Sequence, residues 1–141
     1  MRRIVLAAVV VMLMMVPIGG ASAASCSAID GSGRADWGGS GTGSARVVLD
    51  GEAVKVNFVY TGSVETGPTT FDIFMDWYFP SGVVSVVEHS ETTPIGGAVV
   101  EFNASVDVLA GGSGGWTWSG ISSSARGLAS IQTLSGTLCI D

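Results

Sequence analysis

The sequence is poor in several residue types on which common protein functions depend. Its 141 residues include one histidine, two cysteines, and six lysines or arginines against twelve aspartates or glutamates. One histidine and two distant cysteines are too few for a zinc site, which takes about four ligands. The excess of negative charge repels phosphate backbones, so we expect no nucleic-acid partner. The sequence also lacks the D-x-[DN]-x-[DN]-G calcium loop, and we expect neither a metal nor a cofactor.

Residues 1–24 have the pattern of a cleaved secretory signal peptide. Two arginines precede an unbroken apolar run over residues 4–16, and the small residues A-S-A follow at 21–23. A positive start, a short apolar segment and an A-x-A site make up that pattern, and the run is shorter than the about 20 residues of a membrane-spanning helix. We predict export and a single domain over residues 25–141 with no membrane span. That domain would hold four basic and all twelve acidic residues, a net charge of −8.

Cys26 and Cys139 lie near the two ends of this domain. In an exported protein an even pair of cysteines predicts a disulfide, and this one would close nearly the whole domain into a loop. Closing a loop of about 100 residues stabilises a fold by up to about 4.7 kcal/mol on chain-entropy grounds. The protein would then be secreted or periplasmic. The alternative is a lipoprotein anchored through an acylated Cys26, although Ala23 stands where a lipobox usually has a large aliphatic residue.

Alternation of apolar and polar residues with period two predicts strands through most of the domain. In residues 98–110, for example, Phe102, Ala104 and Val106 would point inward. Asp50-Gly51 between two alternating runs is typical of a two-residue hairpin turn. The predicted strands cover residues 44–49, 53–60, 71–79, 83–92, 98–110, 116–123 and 128–140, with shorter ones near Cys26 and Trp37.

Strands of this number and spacing predict an all-β fold. We expect a small antiparallel meander that forms a closed or nearly closed β-barrel of about 7–8 strands. Closure would remove the sheet edges and place the strands of the two cysteines side by side. The alternative is an immunoglobulin-like β-sandwich, whose disulfide usually joins two sheets from mid-strand positions. An outer-membrane barrel is disfavoured because Glu101 and Asp107 would face lipid.

Residues 109–120, LAGGSGGWTWSG, contain two candidate functional motifs. Ser113 lies in a G-x-S-x-G match, but the residues after it predict a strand instead of the helix that follows a nucleophile elbow. Trp116 and Trp118 would share one strand face about 7 Å apart, where two indoles can stack on sugar rings or on a flat apolar ligand. Large aromatic side chains more often fill a core, and that is the competing interpretation.

The remaining polar candidates lie on two predicted strands. Asp72 and Asp76 would be about 13 Å apart along one strand, which is too far for the carboxylate pair of a glycosidase. Asp76 and Tyr78 could instead offer polar contacts to a ligand. His89 and Glu91 would share a strand face, where they could form an ion pair or a hydrogen bond.

The sequence favours an exported, non-enzymatic β-domain that binds a carbohydrate or a small apolar ligand through aromatic side chains. Trp116 and Trp118 would stack on the ligand, with Tyr78 and Asp76 as polar contacts. The alternative is a cell-surface structural or protein-interaction domain with no small ligand. A carboxylate-dependent hydrolase is a third hypothesis, and it would need two adjacent acidic groups, one of them with a raised pKa.

Overall fold

Eight antiparallel strands make up the fold in a computed structural model that describes residues 25–36, 41–123 and 126–141. The strands are β1 (Ser25–Asp36), β2 (Thr42–Leu49), β3 (Glu52–Glu65), β4 (Thr70–Phe79), β5 (Gly82–Gly96), β6 (Val99–Ala110), β7 (Gly112–Ser123) and β8 (Leu128–Ile140). The predicted signal peptide and Trp37 lie outside the described residues. Within those residues, no helix has the length and apolar character needed to cross a membrane.

Each strand pairs with the next one along the chain, and β8 pairs with β1, so the sheet closes into a barrel. The predicted closed meander is therefore confirmed, and the alternative β-sandwich is wrong. The predicted alternation also holds on β6, where Phe102, Ala104 and Val106 are buried inside and their neighbours are exposed. Asp50 and Gly51 have φ values of 52° and 77°, which is the positive φ that a two-residue hairpin turn between twisted strands requires.

Two segments are more regular than their composition indicates. The N-terminal strand is a single element of 12 residues, β1, because both β2 and β8 supply backbone partners for its glycine-rich sequence. Strand β7 begins at Gly112, before the predicted start at Trp116, and Ser113 pairs there with Cys139. The turn is confined to Gly111, which has a φ of 82°. Ser113 therefore lies within a strand and not at the crest of a nucleophile elbow.

Aromatic side chains fill the barrel around Trp77, which is 0% exposed. The ring of Phe58 stacks on the Trp77 indole with centroids 4.4 Å apart. The indoles of Trp116 and Trp118 approach Trp77 at 4.8 Å and 5.5 Å with interplanar angles of 63° and 46°. Stacked and edge-on contacts of this kind add about 0.5–1.5 kcal/mol each beyond the area they bury.

Three inward-facing aromatic residues each lie opposite a glycine on the neighbouring strand. The pairs are Phe58 with Gly43, Phe102 with Gly120, and Trp116 with Gly136. A Cβ atom at Gly43 would overlap the Phe58 ring, and one at Gly120 would crowd the end of the Phe102 ring. These glycines leave the volume that the large rings occupy, so that the interior is filled without steric strain.

The disulfide between Cys26 and Cys139 lies where the barrel closes. The two cysteines are direct partners in the pairing of β1 with β8, so the predicted disulfide is confirmed. Acylation of Cys26, the alternative, is excluded in this state because its sulfur is bonded to Cys139. The bond defines what we call the disulfide end of the barrel, where Asp50-Gly51 joins β2 to β3 and Gly111 joins β6 to β7.

We predict that Gly43→Ala destabilises the protein by about 1–3 kcal/mol, because the added methyl group would overpack the core against Phe58. Gly62→Ala on β3 is the matched control, since a Cβ there meets no atom within 4 Å. Urea unfolding followed by tryptophan fluorescence measures both effects. Equal stabilities for the two variants would show that the glycine opposite Phe58 is not needed for packing.

We also predict that the double variant Cys26→Ser, Cys139→Ser loses about 2–5 kcal/mol of unfolding free energy, because the unfolded chain regains the entropy of a loop with a sequence separation of 113 residues. Thermal and urea unfolding of the variant and of the oxidised wild type give this difference. The far-ultraviolet circular dichroism of the variant should stay that of a β-barrel in the absence of urea. An unchanged stability would contradict the prediction.

Candidate ligand-binding site

Trp116 and Trp118 lie inside the barrel, and each is 3% exposed. They form no accessible external surface on which a ligand could stack, and their positions match the competing interpretation in which they fill the core. A ligand could contact these indoles only after entering the barrel. This follows from strand parity, because both residues lie on the same side of β7 as the buried Gly120.

Tyr78 and Asp76 face the outside of β4. Tyr78 is 47% exposed, and Asp76 accepts a hydrogen bond of 2.7 Å from the Ser85 hydroxyl on β5. The barrel wall therefore separates these two residues from the two tryptophans. The structure does not bring the four sequence-predicted site residues together at one surface.

A cavity of about 110 Å³ lies inside the barrel at the end where β3 joins β4 and β5 joins β6. We call it the Glu88 cavity, because Glu88 is the charged group among the described residues that line it. Its apolar wall consists of Phe71, Ile73, Val100, Phe102, Trp118, Ala129 and Ile131. Its polar lining consists of Glu88, Ser90, Thr92 and Ser122. The cavity is at the opposite end of the barrel from the disulfide.

Glu88 is 3% exposed, and one of its two carboxyl oxygens has a partner. The Trp118 indole Nε1 donates a hydrogen bond of 2.6 Å to Glu88 Oε1, whereas Oε2 is buried with no hydrogen-bond partner among the described residues. Burial raises the pKa of Glu88 from 4.5 to about 7, and the hydrogen bond from Trp118 acts in the opposite direction. The carboxyl group can therefore change its charge near neutral pH inside an apolar barrel.

Sequence reasoning missed Glu88, although the signal was present in the strand pattern. Val84 and Val86 face inward on β5, and the period of two places Glu88 and Ser90 on the same buried side. A charged residue at an inward position of a predicted strand is the observation that would have identified the site.

His89 points to the opposite side of the barrel wall from Glu88. Its Nδ1 lies 2.7 Å from Asp72 Oδ1, and its Nε2 lies 3.2 Å from Asp107 Oδ2. The hydrogen bond to Asp72 is the main cause of the raised pKa of His89, with a smaller contribution from Asp107. These partners are on β4 and β6, so the structure pairs His89 across strands and not with Glu91.

The described residues contain no group of three or more histidine, cysteine, aspartate or glutamate side chains arranged to hold a metal ion. The Asp72–His89–Asp107 arrangement uses both ring nitrogens of His89 in contacts with carboxylates. The chemistry available inside the barrel is that of Glu88, which can accept hydrogen bonds when ionised and can donate one when protonated.

Comparison of this chain with protein-family models, with curated proteins and with solved structures gives no match.

We predict that Glu88→Gln reduces the pH dependence of stability. The pKa of Glu88 is about 7 in the folded protein, and its ordinary value is 4.5. The contribution of Glu88 to the free energy of unfolding is therefore fully present below pH 4.5 and is lost as the pH rises through 7. The difference corresponds to roughly 3 kcal/mol. Because the pKa of His89 is also raised, His89 too lowers the free energy of unfolding as the pH rises, and this effect remains in Glu88→Gln.

Urea unfolding at several pH values between 4.5 and 8.5 measures this effect. Over that range the wild type should lose more unfolding free energy than Glu88→Gln. The difference between the two proteins should grow mainly between pH 5 and about 7. His89→Gln serves as the comparison for the exterior group. Parallel curves for the wild type and Glu88→Gln would mean that the buried carboxyl does not titrate as described.

Proposed function

We propose that this protein is an exported β-barrel that binds a small, mainly apolar molecule in the Glu88 cavity. The observation that carries the proposal is a buried carboxyl group that lines a mainly apolar cavity and whose Oε2 has no partner among the described residues. An unsatisfied buried polar atom costs about 1–3 kcal/mol. Such atoms in a native protein call for a functional explanation, and a ligand that contacts Oε2 would supply one.

The size and lining of the cavity indicate the class of ligand. A volume of about 110 Å³ is smaller than, but comparable with, the about 150 Å³ that holds benzene in an engineered apolar cavity. The ligand is therefore the size of a single small ring, or the end of a longer molecule. The aromatic residues Phe71, Phe102 and Trp118 line the cavity, which supports binding through aromatic side chains.

The lining of the cavity favours a small apolar ligand over a carbohydrate. A carbohydrate exposes many hydroxyl groups and needs a matching number of polar partners, whereas most of the residues lining the cavity are apolar. Trp118 keeps a role in the proposed site, but Trp116 does not line the cavity, and Tyr78 and Asp76 lie outside the barrel wall. In this proposal Glu88, instead of Tyr78 and Asp76, makes the polar contact to the ligand.

Export is part of the proposal, and two observations support it. The Cys26–Cys139 disulfide is typical of an oxidising compartment, and the first residues of the sequence predict a secretory signal. The alternative roles receive less support from the geometry. A closed barrel offers no free strand edge to a partner protein, and among the described residues that line the cavity Glu88 has no second carboxylate beside it for paired acid–base chemistry.

We predict that Ala129→Leu abolishes binding of a small neutral aromatic probe, toluene, because the added side-chain atoms would occupy the cavity that Ala129 lines. Two-dimensional NMR of the indole N–H groups measures binding, since Trp118 lies in the cavity wall. Ala53→Leu, at an exposed position of β3, is the matched control and should bind toluene as the wild type does. Absence of any toluene-dependent shift in the wild type would overturn the proposed function.

A further inference from the structure

We infer that the Glu88 cavity receives a primary ammonium group, so that its ligand is a small amine with an apolar body. This inference rests on the proposed function and adds the chemical class of the ligand. It is carried by the hydrogen-bonding groups, the charge and the aromatic side chains that line the cavity.

The polar groups of the cavity are suited to accept hydrogen bonds. Glu88 Oε2 is unpartnered among the described residues, and the hydroxyl-bearing residues Ser90, Thr92 and Ser122 line the same space. The Thr92 hydroxyl already donates to the Thr69 carbonyl at 3.2 Å, so its lone pairs remain to accept. An ammonium group has three N–H donors and no acceptor, and it matches a site with one carboxylate and several hydroxyl oxygens.

The buried carboxylate lacks a counter-charge within the described part of the barrel. None of the described residues that line the cavity is a lysine, an arginine or a histidine. A charge buried without a partner is strongly unfavourable, and a partner of opposite sign relieves that penalty. Trp118 Nε1 already donates to Glu88 Oε1 at 2.6 Å, so Oε2 is the oxygen left for a ligand. A cationic ligand would supply the missing positive charge.

The aromatic walls and the charge of the whole chain act in the same direction. Phe71, Phe102 and Trp118 line the cavity, and aromatic faces attract cations within about 6 Å of the ring centre. The formal net charge of −6 favours the approach of a cation over that of an anion. An anionic ligand would meet the Glu88 carboxylate with no basic side chain among the described lining residues to offset the repulsion.

The charge of Glu88 makes amine binding depend on pH. The cavity-lining residues on the four other strands that face Glu88 are not titratable. His89, whose ring nitrogens contact Asp72 and Asp107, lies on the exterior side of the wall. Because burial raises the pKa of Glu88 to about 7, ammonium binding must displace a proton at lower pH. Amine affinity should therefore rise with pH up to about 7 and level off above it. The affinity for a neutral probe should not depend on pH.

The test compares three probes of nearly the same shape on the oxidised wild type and on Glu88→Gln. The probes are benzylamine, benzyl alcohol and toluene, each titrated at pH 5.5 and pH 8 with the indole N–H signals as the readout. We expect the wild type at pH 8 to bind benzylamine about tenfold or more tightly than toluene, as expected for a hydrogen bond to a charged group. Glu88→Gln should lose that preference, so that it binds benzylamine no more tightly than it binds toluene.

Each outcome separates this inference from the proposed function. Toluene binding without a preference for benzylamine would overturn the ammonium inference and leave the cavity proposal standing. Equal affinity for benzyl alcohol and benzylamine would show that a neutral donor suffices, and it would also overturn the inference. A benzylamine preference that persists in Glu88→Gln, or that is the same at both pH values, would place the amine elsewhere. If no probe binds, both proposals fail.

Discussion

The packing of Trp77 is the constraint on which the rest of the structure depends. Its indole is fully buried and contacts the rings of Phe58 on β3 and of Trp116 and Trp118 on β7. An eight-stranded barrel has an interior just wide enough for side chains to fill. Large rings can meet at its centre only if other inward positions are small, and the glycine opposite Phe58 meets that requirement.

The aromatic cluster also determines the chemistry of the cavity. Trp118 packs against Trp77 with one part of its indole and donates its N–H to Glu88 with another. A single side chain thus connects the core to the one buried carboxyl among the described residues. The hydrogen bond from Trp118 holds Glu88 Oε1, and Oε2 is left without a hydrogen-bond partner among the described residues. A substitution at Trp118 would therefore affect both the core and the candidate site.

The barrel could be predicted from the sequence to a greater extent than the site could. Alternation on β6 and the Asp50-Gly51 turn depend on local residue order, and both are present in the structure. The start of β7 at Gly112 was missed because glycine carries no alternation, and only the pairing with β8 makes that segment a strand. The partners of His89 depend on the register of β4 and β6. Cross-strand register of this kind is not contained in the spacing of residues along one strand.

The pairing of β1 with β8, bridged by Cys26 and Cys139, has a consequence for the order of the strands. Each strand pairs with the strands that precede and follow it along the chain, and β8 pairs with β1. The strands therefore form a closed ring in which the chain is interrupted once, between β8 and β1. A circular permutant that connects β8 to β1 and opens at Asp50-Gly51 would keep all eight strand pairings. The architecture thus does not depend on where the ring is interrupted. The closed ring of strands by itself forms the interior that holds the aromatic cluster and Glu88.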